Sequence, residues 1–164
     1  MYYLAYGSNM AAARLQRRLP SAKRIGLVEL PGHRLTFDNR STKDHSGKCD
    51  ALRTESVADL VLAVLYRIDP EEKSILDHYE GVGVEYQDVF IRIKIPEGEE
   101  ADALIYYAIN LEPGLRPYHW YKQHVLRGAE ENGFPESYLQ MIRQVESSED
   151  EDLERCEREL GIYL

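Results

Sequence analysis

The hydropathy pattern predicts a chain that mixes β-strands with α-helices, and three stretches carry that prediction. Leu60 to Ile68 is the most apolar run, which marks a central strand buried on both faces. Tyr86 to Ile95 alternates, with Val89, Ile91, Ile93 and Ile95 on one face, as a half-buried strand does. Between them, Asp69-Pro70-Glu71-Glu72 starts a helix, with Asp as N-cap, Pro at the first helical position and acids in the first turn.

The other elements follow in order. Tyr2 to Tyr6 has strand propensity, Gly7-Ser8-Asn9 interrupts it, and Ala11 to Leu19 consists of good helix formers ended by Pro20. Arg24 to Glu29 and His33 to Phe37 read as strands joined by a Pro31-Gly32 bend. Asn39 to Asp50 is polar and reads as a long loop, of a kind that is often functional. A short strand at Ala51 to Glu55 follows. The Pro70 helix runs to about Tyr79 and stops near Gly81. Pro96 to Glu99 is a hairpin turn into a strand from Ala101 to Ile109. Helices are predicted at Tyr118 to Glu131, stopped by Asn132-Gly133, and at Pro135 to Val145. An acidic helix from Ser147 to Glu159 begins on Ser-Ser-Glu-Asp. With no linker and no repeat, residues 1–164 read as a single domain with an acidic helical extension from about 147.

Composition narrows the function classes. A net charge of −9 would repel a phosphate backbone, so nucleic acid is not an expected partner. No apolar run approaches the length of a membrane span. The 2 cysteines, Cys49 and Cys156, lie far apart with no signal peptide in view, so they are expected as reduced, non-catalytic thiols of a cytoplasmic protein. The 12 tyrosines either pack at the edges of the core or line a pocket with phenols.

Two places hold candidate chemistry. The Gly7 turn permits φ > 0, Ser8 or Asn9 can cap the helix that follows, and its N–H groups can form a concavity suited to a carboxylate or polarised carbonyl. It can equally be an ordinary strand–turn–helix connection. Glu80 stands at the C-terminal end of a helix, between Tyr79 and Gly81-Val82-Gly83-Val84. The helix dipole and any burial would raise its pKa toward the range of a general acid–base, unless it is simply a solvated helix end. Ser8 lacks the Gly-x-Ser-x-Gly frame of a nucleophile. The 5 histidines have no metal-ligand spacing, and the Gly83 region lacks the Gly-Lys-Ser/Thr of a phosphate loop. Neither metal nor cofactor is expected.

Several stretches resemble one family in order and spacing. Tyr6-Gly7-Ser8-Asn9-Met10 after a strand, Asp77-His78-Tyr79-Glu80-Gly81-Val82 after a helix, then Tyr86, Tyr121-Lys122 and Gly128-Ala129-Glu130-Glu131-Asn132-Gly133-Phe134-Pro135 are similar to the motifs of the γ-glutamylcyclotransferase family. The resemblance spans about Tyr3 to Tyr138 and leaves out the acidic tail. It implies an α+β fold: a small, mostly antiparallel β-barrel with flanking helices. It implies an acyltransferase of glutathione metabolism whose substrate, a γ-glutamyl amide, attacks its own γ-carbonyl with its α-amine and leaves 5-oxoproline and an amine or amino acid. Glu80 would be catalytic, and Tyr6, Gly7, Ser8, Asn9, Tyr86 and Tyr121 would bind substrate. The implied partner is that small molecule, with a homodimer left open. Two other readings remain open: a same-fold enzyme that removes a γ-glutamyl group from a larger amine or natural-product precursor, and a non-catalytic binding module.

Overall fold

The computed structural model describes residues 1–164. Its elements are β1 (Tyr2–Ala5), α1 (Ala12–Arg18), β2 (Lys23–Pro31), β3 (His33–Arg40), β4 (Gly47–Arg53), β5 (Leu60–Arg67), α2 (Lys73–Glu80), β6 (Tyr86–Lys94), β7 (Glu100–Ala108), α3 (His119–Glu131), α4 (Glu136–Gln144) and α5 (Leu153–Leu160). A five-stranded sheet runs in the order β2-β5-β1-β7-β6, and β3 and β4 form a separate two-stranded hairpin. Within the larger sheet only β1 and β7 pair in parallel. β5 lies between β2 and β1, and its residues Val61 to Tyr66 are all buried, as the apolar run requires. β6 is an edge strand and keeps the predicted alternation. Asp69 accepts a hydrogen bond from the Glu71 N–H at 3.0 Å, and a short 3₁₀ turn at Pro70–Glu72 leads into α2. Gly81 closes α2 in the left-handed region at φ 62°, where a Cβ would be strained. No helix is long and apolar enough to cross a membrane.

Three expectations need correction. The sheet is not a closed barrel. Its edges, β2 and β6, approach where Gly26 packs against Pro96, but no ladder joins them. Pro96 has no N–H to offer such a ladder, and β6 has already ended at Lys94.

Half of the polar stretch from Asn39 to Asp50 is strand. β3 continues through Arg40 and β4 begins at Gly47, leaving residues 41–46 as the loop. Its polar side chains satisfy backbone groups elsewhere: Asp50 accepts from the Ala108 N–H at 2.9 Å, and Asn39 from the Asn110 N–H at 3.3 Å. Polarity here marks a buried hydrogen-bonding role, which composition cannot tell from solvation.

The tail is helical only from Leu153, with Asp152 as the cap that accepts from the Arg155 N–H at 2.9 Å. Ser148 is instead tied in extended backbone, accepting from the His119 N–H and donating to the Pro117 carbonyl. The Asp150 carboxylate is held by the Trp120 Nε1–H at 2.8 Å and by Arg155, so tertiary anchors set the helix start.

Candidate active site

β1 delivers the chain into the Gly7 turn, and Ser8–Met10 forms a 3₁₀ turn before α1. Gly7 sits at φ −116°, so the left-handed backbone expected there is not used. The glycine is required by space: a Cβ would lie 2.9 Å from the Cys49 Cβ and 3.4 Å from the Tyr121 hydroxyl. Ser8 and Asn9 are buried, yet the N–H groups of Gly7, Ser8 and Asn9 have no acceptor within the chain. Buried N–H groups are rarely left unpartnered, and all three residues line a narrow cleft. Neither Ser8 nor Asn9 caps α1. The Glu131 carboxylate of α3 accepts from the Ala12 N–H at 2.5 Å instead.

The Asn9 side chain is used differently. Its Nδ2 donates to Glu80 Oε1 at 2.8 Å and to the Tyr3 hydroxyl at 3.0 Å, while its Oδ1 accepts from Arg18 at 3.0 Å. Arg18 also stands 3.6 Å from Glu80 Oε1 and lies over the Tyr79 ring. Glu80 is therefore held against the turn, its side chain only 16% exposed, rather than solvated at the helix end. Burial raises its pKa above the ordinary carboxylate value, against the opposing effects of Arg18 and Asn9. Burial also pushes the phenols of Tyr6, Tyr86 and Tyr121 well above their usual value, so all three are neutral.

The cleft has a volume of about 30 Å³, and Tyr3, Tyr6, Tyr86, Tyr106 and Tyr121 form much of its wall. Not every phenol is free to donate. The Tyr6 hydroxyl donates to the Tyr106 carbonyl, and that of Tyr86 to the Cys49 carbonyl at 2.6 Å. Tyr121 accepts from the Cys49 N–H at 3.0 Å and keeps its own proton. Both cysteines are free, and Cys49 is buried in the cleft wall, where burial raises its pKa and disfavours the thiolate. No histidine lines the cleft or the cavity beyond it, so Ser8 has no imidazole base. Nowhere do three or more His, Cys, Asp or Glu side chains converge as metal ligands.

The cleft opens into an outer cavity of about 350 Å³, with which it shares Ser8, Glu80, Tyr86 and Tyr121. Sequence reasoning missed much of this outer wall. Arg18 carries no motif and meets Glu80 only in three dimensions. Glu85, which accepts from both the Thr42 N–H and hydroxyl, belongs to it, as do Lys43 of the β3–β4 loop and Arg158 of α5.

Residues 60–142 match the model of the AIG2-like family. A γ-glutamylcyclotransferase of Mus musculus is 33% identical over 153 residues, covering 90% of this chain and 79% of the relative. The chain belongs to the γ-glutamylcyclotransferase family. The Homo sapiens γ-glutamylcyclotransferase is 30% identical over 151 residues, with the same coverage. A solved structure named γ-glutamyl cyclotransferase superposes with a TM-score of 0.80 at 28% identity, covering 94% of this chain and 96% of that one. Membership of the γ-glutamylcyclotransferase family makes this an enzyme of that type, with the mixed α+β fold of its relatives. Four of the motifs that carried the resemblance meet in the cleft, the Gly7 turn, the end of α2 at Glu80, Tyr86 at the start of β6 and Tyr121 on α3, whereas the Gly128–Pro135 segment does not line it.

Proposed function

We propose that this chain converts a γ-glutamyl amide into 5-oxoproline and a free amine or amino acid. The observation that carries the proposal is a buried, proton-attracting carboxylate, Glu80, beside three unpartnered backbone N–H groups. Cyclisation needs the substrate folded so that its own amine reaches its own carbonyl, which a close-walled cleft achieves by restricting conformers. Glu80 takes a proton from the α-ammonium, and the freed amine attacks the γ-carbonyl carbon. The oxyanion of the tetrahedral intermediate is held by N–H groups of the Gly7 turn and by the Tyr121 hydroxyl. The γ-carbon–nitrogen bond then breaks as Glu80 returns its proton to the leaving nitrogen; Glu80 next takes the remaining extra proton from the ring nitrogen and passes it to the released amine, leaving a neutral lactam and an ammonium. Tyr6 and Tyr86 act as walls, since their hydroxyl protons already have acceptors.

A panel of γ-glutamyl amino acids, γ-glutamyl amines and glutathione, assayed for 5-oxoproline, tests this reading. At least one of them should yield 5-oxoproline and free amine in equal amounts. Release of glutamate instead, or no turnover of any, would overturn it.

The base must be ionised, so kcat/KM should rise with pH through the pKa of Glu80 in the free enzyme. Burial places that limb above the ordinary carboxylate range, and Arg18 works in the opposite direction. Arg18→Met removes the favourable charge, so the limb should move further to higher pH. A pH profile of kcat/KM identical to wild type would remove Arg18 from the control of Glu80.

A further inference from the structure

The outer cavity has a charge character unlike the rest of the molecule. The chain carries a net charge of −9, yet six cations line this one cavity: Arg14, Arg18, Lys43, Lys48, Arg155 and Arg158. Only four carboxylates share the lining, those of Asp44, Glu80, Glu85 and Glu159. Most of the cations are already paired. Lys48 binds Asp44 at 2.8 Å, Arg14 binds Glu159, Arg18 lies beside Glu80, and Arg155 is held by Asp150. Lys43 and Arg158 have no carboxylate within ion-pair distance; Lys43 reaches only the Tyr79 carbonyl, at 3.3 Å. Two cations without an ion-pair partner thus face a space that opens directly onto Glu80, and the Glu85 carboxylate of the same lining, held by Thr42, is the one carboxylate there that also lacks a cation partner.

Arg158 is not on a loose tail. The adjacent Glu159 is bound by Arg14 and, at 3.2 Å, by the His124 ring, and the His124 Nδ1 meets the Tyr163 hydroxyl at 2.6 Å. Burial holds His124 down to about 4, so it is neutral at pH 7 and leaves the Arg14 charge to Glu159. At the other end of α5, Asp150 ties Arg155 to Trp120. The segment that carries none of the family's motifs is therefore fixed across the mouth of the site.

We propose that α5 carries the leaving-group reader of this enzyme: Arg158, with Lys43 of the same cavity, binds a carboxylate on the amine component that departs. The proposal rests on the cyclotransferase reading. With the glutamyl carbonyl at Glu80, the rest of the amide extends into the outer cavity, where a carboxylate gains charge-assisted hydrogen bonds. A neutral amine gains none, and a cationic polyamine is repelled. The motif-bearing cleft thus handles the glutamyl half, and the motif-free α5 and β3–β4 loop select the other half.

The test compares γ-glutamyl-L-alanine with γ-glutamyl-ethylamide, which lacks the leaving-group carboxylate. Wild type should favour γ-glutamyl-alanine by about tenfold or more in kcat/KM. Arg158→Ala should cut that ratio about tenfold, mainly through KM for γ-glutamyl-alanine, and Arg158→Lys should restore part of it. Adding Lys43→Ala should remove what preference remains. A wild-type preference for the ethylamide, or an Arg158→Ala effect equal on both substrates, would overturn the proposal. If wild type turns over neither compound, the wider panel of γ-glutamyl amides and glutathione judges the cyclotransferase reading separately. Calorimetric binding of the same two compounds to wild type and Arg158→Ala then decides the subsite. A carboxylate-dependent affinity lost in the variant supports it, and equal affinities overturn it.

Discussion

Glu80→Gln should fold, bind γ-glutamyl amides and release 5-oxoproline about 10² to 10⁴ times more slowly than wild type. The side chain keeps its shape, and its remaining carbonyl oxygen can still accept from Asn9 Nδ2, which is 2.8 Å from Oε1 in the wild type. What it loses is the ability to take and return a proton. Stability should not fall with activity. Burial raises the pKa of Glu80, so ionisation is less favourable in the folded state than in the unfolded chain. That penalty is absent at low pH, where the group is protonated in both states, and grows as pH rises through the unfolded value. A neutral Gln removes it, so the variant should melt at the same temperature at pH 7 or slightly higher. Turnover within a few-fold of wild type would exclude Glu80 as the proton carrier. Lost turnover with a collapsed melting temperature would mean the residue is structural.

Gly128→Ala should be among the most damaging single methyl additions in the chain. The added Cβ would lie 2.6 Å from the Ala11 nitrogen and the Met10 Cβ, and 2.8 Å from the Met10 carbonyl carbon. Backbone cannot step aside as a flexible side chain can, so α3 must move away from the Gly7 turn. Overpacking of this kind costs about 1–3 kcal/mol. The displacement would also disturb the Met10 carbonyl, which accepts from the Tyr66 hydroxyl at 2.9 Å and from Asn132 Nδ2 at 3.2 Å. Those bonds hold the end of the turn whose N–H groups face the cleft, so turnover should fall along with the melting temperature. Gly161→Ala is the control, because nothing lies within 4 Å of its Cβ position. Wild-type stability and turnover in Gly128→Ala would contradict the close approach of α3 to the turn.

Local pattern was enough for much of this molecule. The apolar run of β5, the alternation of β6, the Asp69-Pro70 start and the Gly81 stop each depend on neighbours a few residues away, and each stands where the pattern put it. The same holds for the order of motifs, which was legible because the Gly7 turn, Glu80, Tyr86, Tyr121 and the Gly128 segment are each short and contiguous. What the pattern could not supply is anything made by segments distant in sequence. Asn9 and Glu80 are 71 positions apart, and their hydrogen bond, not a helix cap, is what the Asn9 side chain serves. Gly7 looked like a conformational glycine and is a steric one, because the obstacle is Cys49 on another strand. The polar residues of β3 and β4 looked like a loop, since hydropathy records the polarity of Asn39 and Asp50 but not that both are buried and accept from distant backbone N–H groups. The gap between β2 and β6 and the placement of α5 over the outer cavity were decided by packing and ion pairing among distant segments, which no local window contains.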